Sequence, residues 1–350
     1  MNIDYIVLIC STFSQPKFIE CQIECFNITT ITLFILKVGI SLPQAGPQAT
    51  KENILQMAKT AESEGFDSVW TFERLLWPIN PKTPYPVTSD GSLPQEYQIM
   101  LDPLETLSFL AAHTNKISLG TSVLDMLFHN PVILARRLAS LDVFSEGRVI
   151  SGFGIGWSKD EYQASNIPFN NKGRRADEYV KMLKTIWMDE DVEFKGQYYN
   201  IPKSKIGPKP VQKPHIPIYL GGFSSNALRR IVENDLNGWV GIIGGGIAPF
   251  GYVQSVIDNF RNEIIKANKD TTNFKIILLS YPSLKDRPFI SDNNANRPTL
   301  TGTIDEIGED IKKIKDLNVD HIVFGYNFSP IGKDVDKMID LTRQFSKFAR

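Results

Sequence analysis

"KISLGTSVLDMLFHNPVILARRLASLDVFSEGRVISGFGIGW", residues 116 to 157, carries one full turn of the repeat from which the fold is read. It opens on KISLGTSV, a short β-branched run suited to a strand, and ends on a second such run, RVISGFG from 148. Between them, NPVILARRLASLDVFSEG has helical spacing. Asn130 is placed as its N-cap, Pro131 as its first helical residue and Gly147 as its stop.

The same alternation extends in both directions. Further strand candidates are KVGISL from 37, FDSVWTF from 66, IPIYLGG from 216, GWVGII from 238, FKIILLS from 274 and DHIVFGY from 320, which with the first two makes eight. Helical stretches follow them, among them TKENILQMAKTAESEG from 50, ended by Gly65, NKGRRADEYVKMLKTIWMDE from 171, and TIDEIGEDIKKIKDLN from 303, capped by Thr303. Eight βα repeats predict an α/β chain closed into a (β/α)8 TIM barrel. An open doubly wound sheet is the runner-up, since it has no preference for eight repeats.

Two connections exceed the usual two to six residues and are expected insertions, one after the second strand and one after the fourth helix. The first, Glu73 to Leu101, holds five prolines and leaves the C-terminal end of its strand, the catalytic face of a barrel, so it is a candidate lid. The second, Asp191 to His215, begins VEFKGQYYNI, a hairpin around Lys195-Gly196.

Composition narrows the function. Hydrophobic residues make up 42% and charged ones 22%, an ordinary globular balance, and a net charge of −1 gives no reason to expect nucleic acid or an anionic membrane. A small-molecule partner is the expectation. Cys10, Cys21 and Cys25 all lie near the N-terminus, so the repeats cannot use a thiol nucleophile or a cysteine-ligated metal. Residues 1–36 differ in style from the rest and are expected to be an extension outside a 37–350 barrel domain, arising from a non-native start before Lys37. An added edge strand or an oligomer contact is the alternative. They lack the positive n-region of a secretory signal, and their apolar run is too short to span a bilayer, so a cytoplasmic location is expected.

In a barrel the reacting groups come from strand C-termini, which sorts the polar residues by position. His113, His215 and His321 fall elsewhere and read as structural; His129, just beyond the third strand, is placed to face a substrate. Glu73, Asp125, Asp160 and Glu161 are the carboxylates of that face, and Glu73-Arg74 leaves the second strand where an acid-base group or a buried ion pair could sit. No H-E-x-x-H, nucleophile elbow or triad spacing occurs, so no metal site or serine hydrolase is expected.

GFGIGW, residues 152–157, is a poor dinucleotide fingerprint, because Trp157 holds the third glycine position. Gly154 and Gly156 there would let a flat ring approach the backbone. GGFSSNALRR, 221–230, joins a strand to a helix and offers Gly221, Gly222, Ser224 and Ser225 either to a phosphate or to an ordinary capped turn. From Phe194 to Val232 there is no Asp or Glu but seven basic residues, either a solvated basic face or a seat for an acidic cofactor tail.

Taken in order, GFDSVW, KISLGTSVL, NPVILARRLASLDVFSEGRVISGFGIGW, DEY, GRRADEYVKMLKTIW, GPKPVQKPHIPIYLGG and NGWV resemble the luciferase-like monooxygenase superfamily, in its coenzyme F420-dependent oxidoreductase branch. The resemblance runs from Lys37 to about Arg343. It implies a barrel holding coenzyme F420, a 5-deazaflavin, or alternatively FMN, over the C-terminal mouth, and a homodimer is in keeping with it. It also implies a phosphate around Gly221, Gly222, Ser224 and Ser225, a cis peptide at Ser122-Val123 backing the central ring, and a ring site that takes in Gly154, Gly156 and Trp157.

The chain departs from the pattern where many members have Asp-His, since it has Glu73-Arg74. Arginine is no general acid near neutral pH, so Arg74 would bind an anionic substrate or polarise a carbonyl. Trp157 replaces the acid of some sugar-phosphate dehydrogenases, which puts that activity in doubt. The expectation is hydride transfer between coenzyme F420 and a small organic substrate, with Glu73, Arg74 and His129 as catalytic candidates. A reduced-FMN monooxygenase is the alternative, a flavin-binding barrel without turnover a third reading, and a phosphosugar lyase or isomerase a fourth, for which no Schiff-base lysine or paired acids are evident.

Overall fold

All eight β-branched runs are strands in the computed structural model, which describes residues 35–289 and 297–349. They are β1 (Lys37–Ser41), β2 (Ser68–Thr71), β3 (Ser118–Thr121), β4 (Val149–Gly154), β5 (Ile218–Gly221), β6 (Gly238–Gly244), β7 (Lys275–Tyr281) and β8 (His321–Phe324). Every neighbouring pair is parallel, in the order 3-2-1-8-7-6-5-4. Pairing of Leu119 with Val149 and of Gly120 with Ile150 joins β3 to β4 and closes the sheet. The chain is a (β/α)8 TIM barrel, and the open doubly wound alternative is excluded. Of the expected extension, residues 1–34 lie outside the described residues.

The helices are α1 (Lys51–Ser63), α2 (Pro103–Ala111), α3 (Pro131–Phe144), α4 (Lys159–Ala164), α5 (Lys172–Met188), α6 (Ser225–Glu233), α7 (Phe250–Lys266), α8 (Ile304–Asp316) and α9 (Val335–Phe345). Their starts follow the expected chemistry. Asn130 accepts from Val132 and Ile133, and Thr303 forms a reciprocal capping box with Glu306. Gly65 and Gly147 close their helices with φ of 87° and 84°.

Apolar side chains form one layer between sheet and helices and a second inside the barrel, where Trp70, Val240, Ile277, Leu279 and Val323 meet. Gly120 is required there, because a Cβ would come within 2.4 Å of the Trp70 ring. Trp70 Nε1 donates to Ser68 Oγ at 2.6 Å, and Ser68 Oγ lies 2.7 Å from His321 Nε2. Burial drives the His321 pKa down to about 3, so this histidine is a neutral structural group, as expected. His113, against the Phe109 carbonyl, and His215, stacked on Trp187, are structural too.

The insertion after the fourth helix is the expected antiparallel hairpin, Val192–Lys195 with Asn200–Ser204. The loop after β2 has little regular structure and is tied at both ends by one buried side chain. Gln44 donates to the carbonyls of Phe72 at 2.8 Å and Leu101 at 3.0 Å, and accepts from the Phe72 N–H at 2.8 Å.

Candidate active site

At the C-terminal end of β2 the chain turns outward so that Glu73 and Arg74 meet the segment following β3. The Glu73 N–H donates to the Val123 carbonyl at 3.1 Å, which fixes the two strand exits side by side. Glu73 Oε2 accepts from the Asp125 N–H at 2.7 Å, and Oε1 lies 2.7 Å from His129 Nε2. The catalytic candidates Glu73, Arg74 and His129 therefore share one corner of the mouth. The Ser122-Val123 peptide is cis.

Arg74 is buried among aromatic rings and carboxylates. Its guanidinium is stacked between Trp157, 4.9 Å from the ring centre, and Tyr97, at 5.5 Å. Its nitrogens lie 3.2 Å from Glu161 and 3.7 Å from Asp125. The expectation that Arg74 receives an anionic substrate is corrected: the chain's own carboxylates surround it. Asp160, by contrast, stays at the surface, accepting from the Lys82 N–H.

Burial of neighbouring carboxylates in one corner raises their proton affinity, and the Arg74 guanidinium opposes the rise. Burial pushes Asp125 up to about 7 against the pull of Arg74, with Glu73 and Glu161 adding to the rise. Glu161 is raised by burial as well, again opposed by Arg74. At His129 burial favours the neutral ring, but the hydrogen bond and charge of Glu73 outweigh it and lift the pKa above the ordinary histidine value. His129 also lines a separate cavity of about 380 Å³, with Tyr198 and Tyr199 of the hairpin. It stands behind Glu73 as well as beside the mouth.

Several buried polar atoms here have no hydrogen-bond partner: Arg74 Nε, Trp77 Nε1, Ser122 Oγ and Glu161 Oε2. Such atoms cost about 1–3 kcal/mol each unless a ligand or water meets them. Across the mouth, Gly222 takes φ of 118°, and Ser224 caps α6 by accepting from the Ala227 N–H at 3.3 Å. That leaves other first-turn N–H groups of α6 directed outward, with Ser224 and Ser225 exposed. Gly221 has only ordinary contacts at its Cβ position, the nearest being Val123 at 3.4 Å.

Gly154 and Gly156 have another reason to be glycine. A Cβ at Gly154 would strike Asp125 Oδ1 at 2.4 Å, and one at Gly156, whose φ is 68°, would strike Phe128 at 2.7 Å. They serve the packing under the mouth, and the Gly156 N–H donates to Asp125 at 3.0 Å.

Of the two readings of the basic run, the solvated face is the one the contacts favour. Lys195 pairs with Glu193, Lys203 with Asp191, Lys205 with Glu190 and Asp191, Arg229 with Glu233, and Arg230 with Asp177. Lys209 caps the carbonyls of Ile186 and Asp189, and Lys213 that of Pro210. All seven cations are engaged by the chain itself. A group absent from the sequence reading is Gly244-Gly245-Gly246 at the end of β6, with φ of 77°, 63° and 74°. Three adjacent glycines at a strand exit were visible as a turn requiring positive φ.

The sequence model of the luciferase-like monooxygenase family matches residues 31–289. The chain belongs to this family. An uncharacterized protein of Mycobacterium tuberculosis is 33% identical over 184 residues, covering 52% of this chain and 65% of its own length. A protein of Amycolatopsis mediterranei named F420-dependent glucose-6-phosphate dehydrogenase is 31% identical over 53% of this chain and 51% of its own length. One of Pseudomonas putida named FMNH(2)-dependent dimethylsulfone monooxygenase is 30% identical over 43% and 41%.

The matched stretch is thus less than two thirds of each of these relatives. Among solved structures, the monooxygenase RslO1 of Streptomyces bottropensis superposes with a TM-score of 0.70 at 22% identity, over 89% of this chain and 98% of that one. An F420-dependent secondary alcohol dehydrogenase gives 0.70 at 19%, over 90% and 99%. These likenesses establish the luciferase-like barrel. Among the described residues no cluster suits a metal ion, and no helix is long and apolar enough to cross a membrane.

Proposed function

We propose that this luciferase-like oxidoreductase transfers hydride between coenzyme F420 and a small organic substrate at the barrel mouth. The observation that carries the reading is the outward-facing start of α6. A cofactor phosphate held at Gly222, Ser224 and Ser225 sits at an exposed rim, where a phosphodiester tail can pass into solvent. The unpartnered Ser122 Oγ and Trp77 Nε1 suit the polar edge of a ring system at the other end of the cofactor.

The deazaflavin supplies the two-electron hydride chemistry when bound; the chain supplies binding, orientation and proton handling. Interconverting an alcohol and a carbonyl moves one hydride and one hydroxyl proton together. Asp125, near half ionised at neutral pH, and the Glu73–His129 pair are the groups of this corner that can hold that proton. Arg74, held against two aromatic rings, lies 3.7 Å from Asp125.

The engagement of all seven basic residues by the chain favours the second reading, a reduced-FMN monooxygenase, because FMN ends at its phosphate and has no further anionic tail to recruit them. Parallel fluorescence titration of the protein with coenzyme F420 and with FMN tests the choice. The proposal expects coenzyme F420 to bind at least tenfold tighter and Ser225→Ala to weaken it about fivefold, a loss of roughly 1 kcal/mol. FMN binding more tightly would transfer the assignment to the monooxygenase, and binding of neither would end both.

A further inference from the structure

Beside the acidic corner, the lid and the exits of β6, β7 and β8 enclose a cavity of about 580 Å³, within the size range of small-molecule sites. Tyr85 and Val87 of the lid face Tyr281 of β7 and Phe328 beyond β8 across it. Phe328 lies 4.9 Å from Tyr97 and 5.7 Å from Phe72, centre to centre, so its wall continues to the ring that covers Arg74. Among the described residues no Lys, Arg or His lines this cavity, and the one charged lining residue is Glu96. Arg74 lies against Tyr97 and Trp157 and faces Glu161 and Asp125, and Arg297, next to the lining residue Pro298, is held by Asp310 and the Thr301 carbonyl.

We infer that the substrate is an uncharged, largely apolar ring compound bound against Tyr85, Tyr281 and Phe328, and that phosphorylated or carboxylated molecules are excluded. This deepens the proposed function and rests on its placement of the reaction at the barrel mouth. An anion entering the cavity would lose its hydration and find hydroxyls but no cation among the described lining residues, with Glu96 opposing it, whereas flat apolar molecules gain ring contacts and bury area on both faces.

The test is isothermal titration calorimetry with 1-naphthol and 1-naphthyl phosphate, each with and without coenzyme F420. The expected result is naphthol binding at least tenfold tighter than the phosphate ester, a difference of about 1.4 kcal/mol. Val87→Trp, which fills the cavity from a partly exposed lid position, should weaken naphthol at least fivefold while leaving the coenzyme F420 titration and Tm unchanged. Ile133→Trp, on the exposed face of α3, should change neither. Equal or tighter binding of the phosphate ester, binding of neither probe, or an unaffected Val87→Trp would each overturn the inference. Retained preference for naphthol in a protein that binds no coenzyme F420 would instead sink the cofactor assignment and leave the substrate class standing.

Discussion

Arg74 owes its function to what it touches. Its guanidinium neutralises part of a three-carboxylate corner and is held flat by two aromatic rings, so removing it leaves buried charge uncompensated. Arg74→Ala is expected to destabilise the protein by about 3–5 kcal/mol, read as a fall in the chemical-denaturation midpoint. Arg74→Lys should recover only part, because an ammonium cannot stack on both rings.

Asp125 makes a prediction of opposite sign in pH. Its folded pKa, about 7, lies above the ordinary aspartate value, so the native state binds the extra proton between the two. Its contribution is complete at low pH and is lost as pH rises through about 7. The melting temperature of the wild type should therefore decline from pH 5 to 8, and Asp125→Asn should flatten that decline. A profile that Asp125→Asn leaves unaltered would contradict the raised pKa.

At the scale of elements, the lid is governed from its two ends. Gln44 makes three buried hydrogen bonds to Phe72 and Leu101, and Glu161, from the first turn of α4, accepts the Leu75 N–H. Gln44→Leu orphans those backbone groups and should cost about 2–4 kcal/mol at roughly 1 kcal/mol per bond. Hydrogen exchange should rise across residues 72–101 more than elsewhere; uniform loss of protection would show that the clamp acts on the whole barrel instead.

Strand and helix identities were legible because each run carried its own period and its own caps, as at Asn130 and Thr303. The face of the site was legible from strand exits, which placed Glu73, Asp125, His129 and Glu161 together, but pairings were suggested only between sequence neighbours such as Glu73 and Arg74. Glu161 stands far from Arg74 along the chain, and no local pattern announces their contact. The basic run stayed ambiguous for the same reason, since Asp177, Glu190, Asp191, Glu193 and Glu233, which pair with its cations, all lie outside it.

In the whole molecule, stability and chemistry occupy opposite ends of one barrel. The N-terminal side is closed by the neutral Ser68–His321–Trp70 cluster and by Arg148, which donates to the carbonyls of Ala111, Thr114, Ile117 and Ser145. The C-terminal side keeps polar atoms without partners and charges crowded around Arg74. Such a division is expected of a fold in which strand exits carry function and strand starts carry packing. Under the proposed function, the cofactor completes the mouth by meeting Ser122 at one end and the start of α6 at the other.

The most direct measurement is a crystal structure of the protein grown with coenzyme F420. The account predicts density for the deazaflavin ring against Ser122-Val123 and for its phosphate at Gly222 and Ser224, with the tail leaving toward solvent. Density for the ring outside the barrel mouth, or for the phosphate away from the start of α6, would contradict it.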